Sequence, residues 1–193
     1  MAALVPRAYE AFARVFHPLY VGGGREVRWS EAAAMQGRAM HATVALHEVL
    51  LREGEYATDA ALLSGQALGT LPAAELRALW NALRSHTASD LLYLGFWEGF
   101  GVEQASGPRP YLEVADRRYV LAALPMDALD EAHRLNRGFG PNLVWPADRA
   151  WFCHTDIDGL SSYIGATAAA IQAVLDHAVL EAMALTAGDQ ANY

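Results

Sequence analysis

Residues 141–165 read PNLVWPADRAWFCHTDIDGLSSYIG, and no other part of the chain places so many large aromatic residues beside fixed charges. Two tryptophans, Trp145 and Trp151, lie on either side of the acid–base pair Asp148-Arg149. Strand-like residues follow near Trp151–Asp156, and aromatic and β-branched side chains favour strands. This stretch therefore predicts strand structure at the centre of the fold.

Strand and helix patterns continue outward from this stretch. Further strands are predicted at Leu91–Trp97, Tyr111–Val114, Arg118–Ala122 and Tyr163-Ile164. The short spacing of the first three predicts an antiparallel meander. Leu76, Leu79, Trp80 and Leu83 recur at helical spacing, which predicts a helix from Pro72 to about Ser85. Other helices are predicted at 31–36 with Ser30 as N-cap, at 41–52, from Pro125 with Gly138 as the C′ residue, and after Thr167 as cap.

The whole pattern predicts one α+β domain, residues 1–193, with an antiparallel or mixed sheet of about five strands flanked by helices. The alternative division is an N-terminal subdomain at 1–54 with a connection at 55–71. Residues 8–17 fit a helical stripe and an alternating strand equally well, so both assignments stay open. Leu180–Leu185 is expected to pack as a tail.

The composition limits the classes of partner and location. The net charge of −8 disfavours nucleic acid and anionic membrane surfaces. The chain has no run of about 18 apolar residues and no signal-peptide charge order, so a cytoplasmic bacterial protein without a membrane span is expected. The hydrophobic content of 53% is enough for a sizeable core.

Several kinds of chemistry are excluded by residue type. The chain has no lysine, and its 14 basic residues are all arginines. This excludes Schiff-base and phosphate-loop lysines. The single Cys153 excludes an internal disulfide and a multi-cysteine zinc site. His47-Glu48 resembles the start of a zinc-protease motif, but Leu51 stands where the second histidine would be. No metal and no cofactor is therefore expected.

Residues 141–165 resemble the C-terminal signature of an uncharacterised bacterial protein family, which reads roughly PNLxWPxDRAW, then T(D/E)ID, then Y(I/V)G. The segments ARVFHP and VRWSEAA nearer the N-terminus also look like that family. The resemblance implies one continuous unit and a strand at 10–16, and it implies no reaction. The layout, with helices beside an antiparallel sheet in a small acidic chain, is similar to the immunity and adaptor proteins of the SUKH type.

Asp148-Arg149 between Trp145 and Trp151 has two interpretations. The guanidinium fork could hold a carboxylate or phosphate, with a tryptophan as stacking face. The residues Pro146 to Arg149 also have good turn chemistry, and tryptophans commonly fill cores. The structural interpretation is the one favoured.

The carboxylates Asp156 and Asp158 follow the predicted strand, with His154 two residues earlier. On a strand, residues two apart share a face, so His154 and Asp156 could form a base and its orienting group, with Ser161 or Ser162 downstream. Two carboxylates are too few for a cation cage. The favoured interpretation is that both carboxylates lie at a solvated strand end before Gly159.

The leading hypothesis is a soluble, non-catalytic domain that binds a protein partner, with an immunity-like or adaptor-like role. It rests on the absence of every catalytic motif considered and on the acidic charge. The alternative is a small-molecule hydrolase with a His/Asp site near 149–158. A third is a homodimer joined through Trp145 and Trp97. The candidate binding residues are Trp145, Asp148, Arg149, Trp151, His154, Asp156 and Asp158.

Overall fold

The computed structural model of the chain describes residues 5–21, 24–57, 62, 64, 66, 68–100, 110–114, 116–132, 134–136, 138–186 and 188–189. The strands of the main sheet are β1 (Ala11–Phe16), β4 (Leu91–Trp97), β5 (Tyr111–Val114), β6 (Arg117–Pro125), β7 (Leu143–Pro146), β8 (Phe152–Thr155), β9 (Ser161–Ala166) and β10 (Glu181–Leu185). A separate hairpin contains β2 (Leu19–Val21) and β3 (Arg25–Val27). The helices are α1 (Trp29–Met35), α2 (Leu46–Leu50), α3 (Ala73–Leu83) and α4 (Ala168–Leu175).

The α+β class is confirmed, but the predicted sheet of about five strands is too small. Within the described residues the main sheet has eight strands in the order β10-β1-β9-β8-β7-β4-β6-β5. Every neighbouring pair is antiparallel. The excess comes mainly from the two ends of the chain, because β1 and the expected tail both join the sheet. The tail forms β10, which pairs with β1.

The open question about residues 8–17 is settled by side-chain alternation in β1. Ala13 and Val15 point into one hydrophobic core, whereas Phe12 and Phe16 belong to clusters on the other side. A helix would mix these residues on one surface, but a strand separates them. β1 lies between β9 and β10, so the N-terminal strand is held along both edges.

Helices cover the two faces of the sheet unequally. The first face, which includes Ala13, Val15 and Val144, packs against α3 and α4 in the largest core. The second face packs, near Phe16, against a smaller core that contains residues of α1 and α2. Burial of these apolar side chains supplies the main driving force for the fold.

Several predicted helices have different bounds in the structure. The helix predicted at 41–52 is the shorter α2, and the helix predicted after Pro125 is formed by 3₁₀ turns at Met126–Glu131 and Arg134–Asn136. α1 begins at Trp29 rather than after a Ser30 cap. The Glu181 carboxylate accepts hydrogen bonds from the backbone N–H groups of Trp29 and Ser30, at 2.7 Å each. A strand residue distant in sequence thus replaces the local cap.

The helix from Pro72 is confirmed as α3, and Thr167 is confirmed as the N-cap of α4, where its side chain accepts from the Ala170 N–H. Part of the predicted connection at 55–71, namely 58–61, 63, 65 and 67, lies outside the described residues. None of the described helices is long and apolar enough to cross a membrane.

Candidate functional site

The predicted site residues do not converge. Asp148 and Arg149 lie on the turn between β7 and β8, whereas Asp156 and Asp158 lie beyond the other end of β8. Strand β8 contributes four residues, which separate the two groups by roughly 13 Å at about 3.3 Å per residue. A single pocket containing the arginine fork and both later carboxylates is therefore not formed.

Asp148 fixes one loop to another. Its carboxylate accepts hydrogen bonds from the Thr87 hydroxyl at 2.8 Å, the Ala88 N–H at 2.9 Å and the Ala150 N–H at 3.1 Å. Burial raises the pKa of Asp148, but these hydrogen bonds outweigh it, and the net pKa lies below its ordinary value. The carboxylate holds the β7–β8 turn against the segment that precedes β4.

Arg149 occupies the left-handed backbone region, with φ of 56°. This conformation closes the turn after Asp148, which matches the turn interpretation made from the sequence. Its backbone carbonyl accepts a hydrogen bond of 3.1 Å from the Tyr9 hydroxyl. The Arg149 side chain is exposed and has no salt bridge to another described residue.

Asp156 and Asp158 share a cation at the opposite end of the sheet. The Nη2 atom of Arg117, at the start of β6, lies 3.3 Å from the Asp156 carboxylate and 3.0 Å from that of Asp158. Asp156 also accepts a 2.9 Å hydrogen bond from the Asp158 N–H. The Asp156 side chain is 4% exposed, against 69% for Asp158, so the inner carboxylate is a structural anchor and the outer one faces solvent.

His154 is fully buried on the second face of the sheet. The Tyr119 hydroxyl lies 3.5 Å from its Nε2 atom, and the two rings meet edge to face at 6.2 Å. Cys153, on the first face, is buried in the large core, and burial raises the pKa of its thiol to about 12. Cys153 and His154 therefore point to opposite faces of β8, as neighbouring residues of a strand do.

A serine–histidine pair does exist, but it uses a different histidine. His17 Nε2 lies 2.9 Å from the hydroxyl of Ser162, which also shares a hydrogen bond with Thr155. These three residues are at most 1% exposed. A nucleophile must reach its substrate, so this pair serves as a buried structural link. No sequence signal indicated it, because the partners are 145 residues apart.

Arg14 is a second buried group that the sequence did not single out. It is 2% exposed, and burial lowers its pKa. Its Nε donates to the Ser161 hydroxyl at 2.9 Å, and its Nη1 donates to the carbonyls of Ala42 and Val44 at 3.1 and 2.8 Å. The side chain therefore fixes the loop before α2 to the sheet, as buried polar groups require partners.

The two tryptophans of the central stretch lie on opposite faces. Trp151 is 1% exposed and meets Trp80 edge to face at 5.7 Å in the large core. Trp145 is only partly buried on the second face, where its ring stacks on Tyr93 at 5.6 Å and lies 5.8 Å from the ring of Phe152. Tyr93, Trp145 and Phe152 come from three adjacent strands, and we call them the aromatic row.

Two large openings in the described part of the chain are lined by none of the predicted site residues, whereas Trp151 lines a narrow apolar cavity of about 10 Å³ in the large core. One opening of about 460 Å³ is lined by Glu26, Arg28, Glu31 and Glu75, among others, and one of about 510 Å³ lies beside Asp90. In the part of the chain that the structure describes, no group of three or more His, Cys, Asp or Glu side chains is placed to hold a metal ion.

Comparisons with protein-family models, with curated proteins and with solved structures give no match for this chain. The resemblances to the bacterial signature family and to the SUKH layout therefore remain predictions. The function has to be inferred from the geometry of the chain itself.

Proposed function

We propose that this protein is a non-catalytic protein-binding domain and that the aromatic row is its principal contact surface. One observation carries the proposal: Tyr93, Trp145 and Phe152 remain partly exposed on a sheet face whose neighbouring residues are deeply buried. Tyrosine and tryptophan dominate the binding energy of many protein interfaces. A row of such rings on a rigid sheet is already arranged for docking, because it needs no ordering upon binding.

The ring geometry favours a protein over a sugar as the ligand. Tyr93 and Trp145 are stacked at 29° between ring planes, and Trp145 and Phe152 meet at 33°. Rings that stack on one another direct their faces at their neighbours and their edges outward. A sugar stacks on an open ring face, whereas a ring edge is electropositive and can meet the face of an aromatic side chain of a partner protein.

The charge of the chain indicates the kind of partner. The net charge of −8 would speed association with a basic protein and repel an acidic one. A second copy of this chain would carry the same negative charge. We therefore commit to a basic protein as the partner, which is the immunity-like or adaptor-like role expected from the sequence.

The hydrolase alternative has weaker support. It needs Arg149, His154, Asp156 and Asp158 in one concave pocket, but Arg149 and the two carboxylates lie at opposite ends of β8. His154 is fully buried, and so is the Ser162 hydroxyl beside His17. A hydrolase would require a different set of residues.

The test is quantitative capture from the native cell extract with immobilised wild type, with the double variant Tyr93→Ala/Trp145→Ala, and with Tyr111→Ala. Tyr111 is a matched control because it is an aromatic residue, 50% exposed, on the edge strand β5. We expect one basic protein to be retained by wild type and by Tyr111→Ala and lost from the double variant. That protein, purified, should then bind with a Kd raised at least 100-fold by the double variant, or roughly 3 kcal/mol.

Equal capture by all three proteins would contradict the proposal. So would native mass spectrometry that shows a small molecule retained in wild type and a turnover of it that His154→Ala abolishes. Each variant is first checked for an unchanged far-UV spectrum and cooperative melting, so that a lost partner is not attributed to a lost fold.

A further inference from the structure

A short segment of the chain lies against one end of the aromatic row. Residues 5–10 precede β1 and pack on the second face, where Val5 is 1% exposed and Tyr9 is half-buried. Both belong to a small cluster that also contains Phe12 and Phe152. Phe152 is the outer ring of the aromatic row, so the segment and the row are in direct continuity.

The segment is held by side chains. In the described part of the chain, no backbone–backbone hydrogen bond joins residues 5–10 to the rest of the protein. The Tyr9 hydroxyl donates to the Arg149 carbonyl at 3.1 Å, and the Glu10 carboxylate accepts from the Ala168 N–H at 3.1 Å. Strand β1, in contrast, is paired with β9 from Ala11 onward and with β10 from Phe12 onward.

A glycine provides the place where the segment docks. Gly165 of β9 lies directly between Phe12 and Phe152 in the strand pairing. A Cβ atom built at this position would lie 2.6 Å from Tyr9 Cδ2 and 2.6 Å from Val5 Cγ1. The missing side chain therefore forms a hole between two phenylalanines, and the Val5 and Tyr9 side chains fill it.

We infer that residues 5–10 form a removable strap that covers the Gly165 end of the aromatic row and limits the length of the docking surface. Release of the strap extends the row across Gly165 to Phe12 and frees the Arg149 carbonyl. Unpairing stops at Ala11, because β1 is held by two neighbouring strands. The regulatory consequence rests on the proposed function, whereas the release itself is measurable without a partner.

Tryptic cleavage after Arg7 measures the release. Arg7 is exposed and lies between the two anchoring side chains, and a protease needs a locally unfolded segment around its target bond. In wild type we expect cleavage after Arg7 at urea concentrations far below the onset of global unfolding, and we expect the cleavage rate to depend only weakly on urea. Tyr9→Ala should raise the cleavage rate at least tenfold with an unchanged global unfolding midpoint, and Tyr9→Phe should raise it only a few-fold because the ring still fills the hole.

Gly165→Ala provides an independent variant, since its methyl group displaces both anchors. If that variant fails to fold, Tyr9→Ala still decides the question. Fluorescence of 8-anilinonaphthalene-1-sulfonate should rise in Tyr9→Ala, and the additional change Trp145→Ala should remove the rise. Cleavage after Arg7 that follows global unfolding in both urea dependence and midpoint would overturn the strap, because the segment would then belong to the cooperative core.

The two proposals fail separately. If the strap is released by Tyr9→Ala but the captured basic protein binds Tyr9→Ala no more tightly than wild type, the regulatory inference is overturned and the binding function stands. If no partner depends on the aromatic row, the proposed function fails, although the cleavage data still report whether the strap opens.

Discussion

His17 and Ser162, which are 145 residues apart in the sequence, meet at 2.9 Å in a position from which solvent is excluded. His17 follows β1, and Ser162 lies on β9, the strand that pairs with β1. Thr155 on β8 adds the third member of the chain of hydrogen bonds. The contact thus joins the N-terminal segment to the centre of the sheet, and its burial indicates a structural role.

Ser162→Ala should destabilise the protein without affecting any reaction. The change leaves the His17 and Thr155 side chains without the hydroxyl that links them, and an unsatisfied buried polar group costs about 1–3 kcal/mol. Urea denaturation measures the loss, with the exposed Ser85→Ala as control, which should stay within about 0.5 kcal/mol of wild type. Labelling of native wild-type Ser162 by a fluorophosphonate probe would show instead that the hydroxyl is accessible and activated.

Arg117 should matter more for stability than its partial exposure suggests. Its removal leaves the Asp156 carboxylate, 4% exposed, without the cation 3.3 Å away. We expect Arg117→Ala to cost about 2–4 kcal/mol, near the range for breaking a buried pair, and Asp158→Ala to cost less than about 1 kcal/mol because that carboxylate is largely solvated. Double-mutant cycles measured by urea denaturation give the coupling energy of Arg117 with each carboxylate. Equal coupling energies for Asp156 and Asp158 would contradict the assignment of Asp156 as the structural partner.

Asp148 should give the protein an acid-sensitive contribution to stability. Hydrogen bonds from Thr87, Ala150 and Ala88 outweigh the effect of burial and lower the pKa of Asp148 in the folded state. A carboxyl group with a depressed folded pKa stabilises the fold above its unfolded pKa of about 3.9 and loses that contribution as the pH falls through the folded value. Wild type should exceed Asp148→Asn in unfolding free energy near neutral pH, and the gap should narrow below about pH 4.

The comparison needs urea denaturation at several pH values, with Asp116→Asn as a matched control. Asp116 is an exposed aspartate in the β5–β6 turn, so Asp116→Asn makes the same chemical change at a solvent-exposed site. If the difference in unfolding free energy between wild type and Asp148→Asn grew on acidification, the proposed effect of Asp148 on stability would have the wrong sign.

Much of the fold could be predicted because its central elements have local signals. The stripe Leu76, Leu79, Trp80 and Leu83 identified α3, and Thr167 identified the start of α4. The strands at the chain ends could not be counted in the same way. β10 contains the sequence EAMAL, whose residues have high intrinsic helix propensity. Pairing with β1 overrides that preference, and such a partner is not visible in the local sequence.

The candidate site was predictable in its residue types and not in its geometry. Trp145, Arg149 and Asp156 are close in sequence, and the expectation of a shared site assumed that they are also close in space. A hairpin turn and strand β8 direct them to different places. The turn predicted at Asp148-Arg149 is confirmed because it depends on the local sequence. The pairing of Ser162 with His17 depends on strand order alone, which the local sequence does not show.

Cys153 should report global unfolding. Burial raises the pKa of its thiol to about 12, against 9.0 for the free group, and the thiolate is the reactive form. We expect native wild type to react with a chromogenic disulfide reagent near pH 8.5 only at the rate at which the chain unfolds, and the denatured chain to react at once. Tyr9→Ala should leave this rate unchanged, since the strap lies on the opposite face of the sheet from Cys153. Fast reaction of the folded wild type would show instead that the core beneath α3 opens locally.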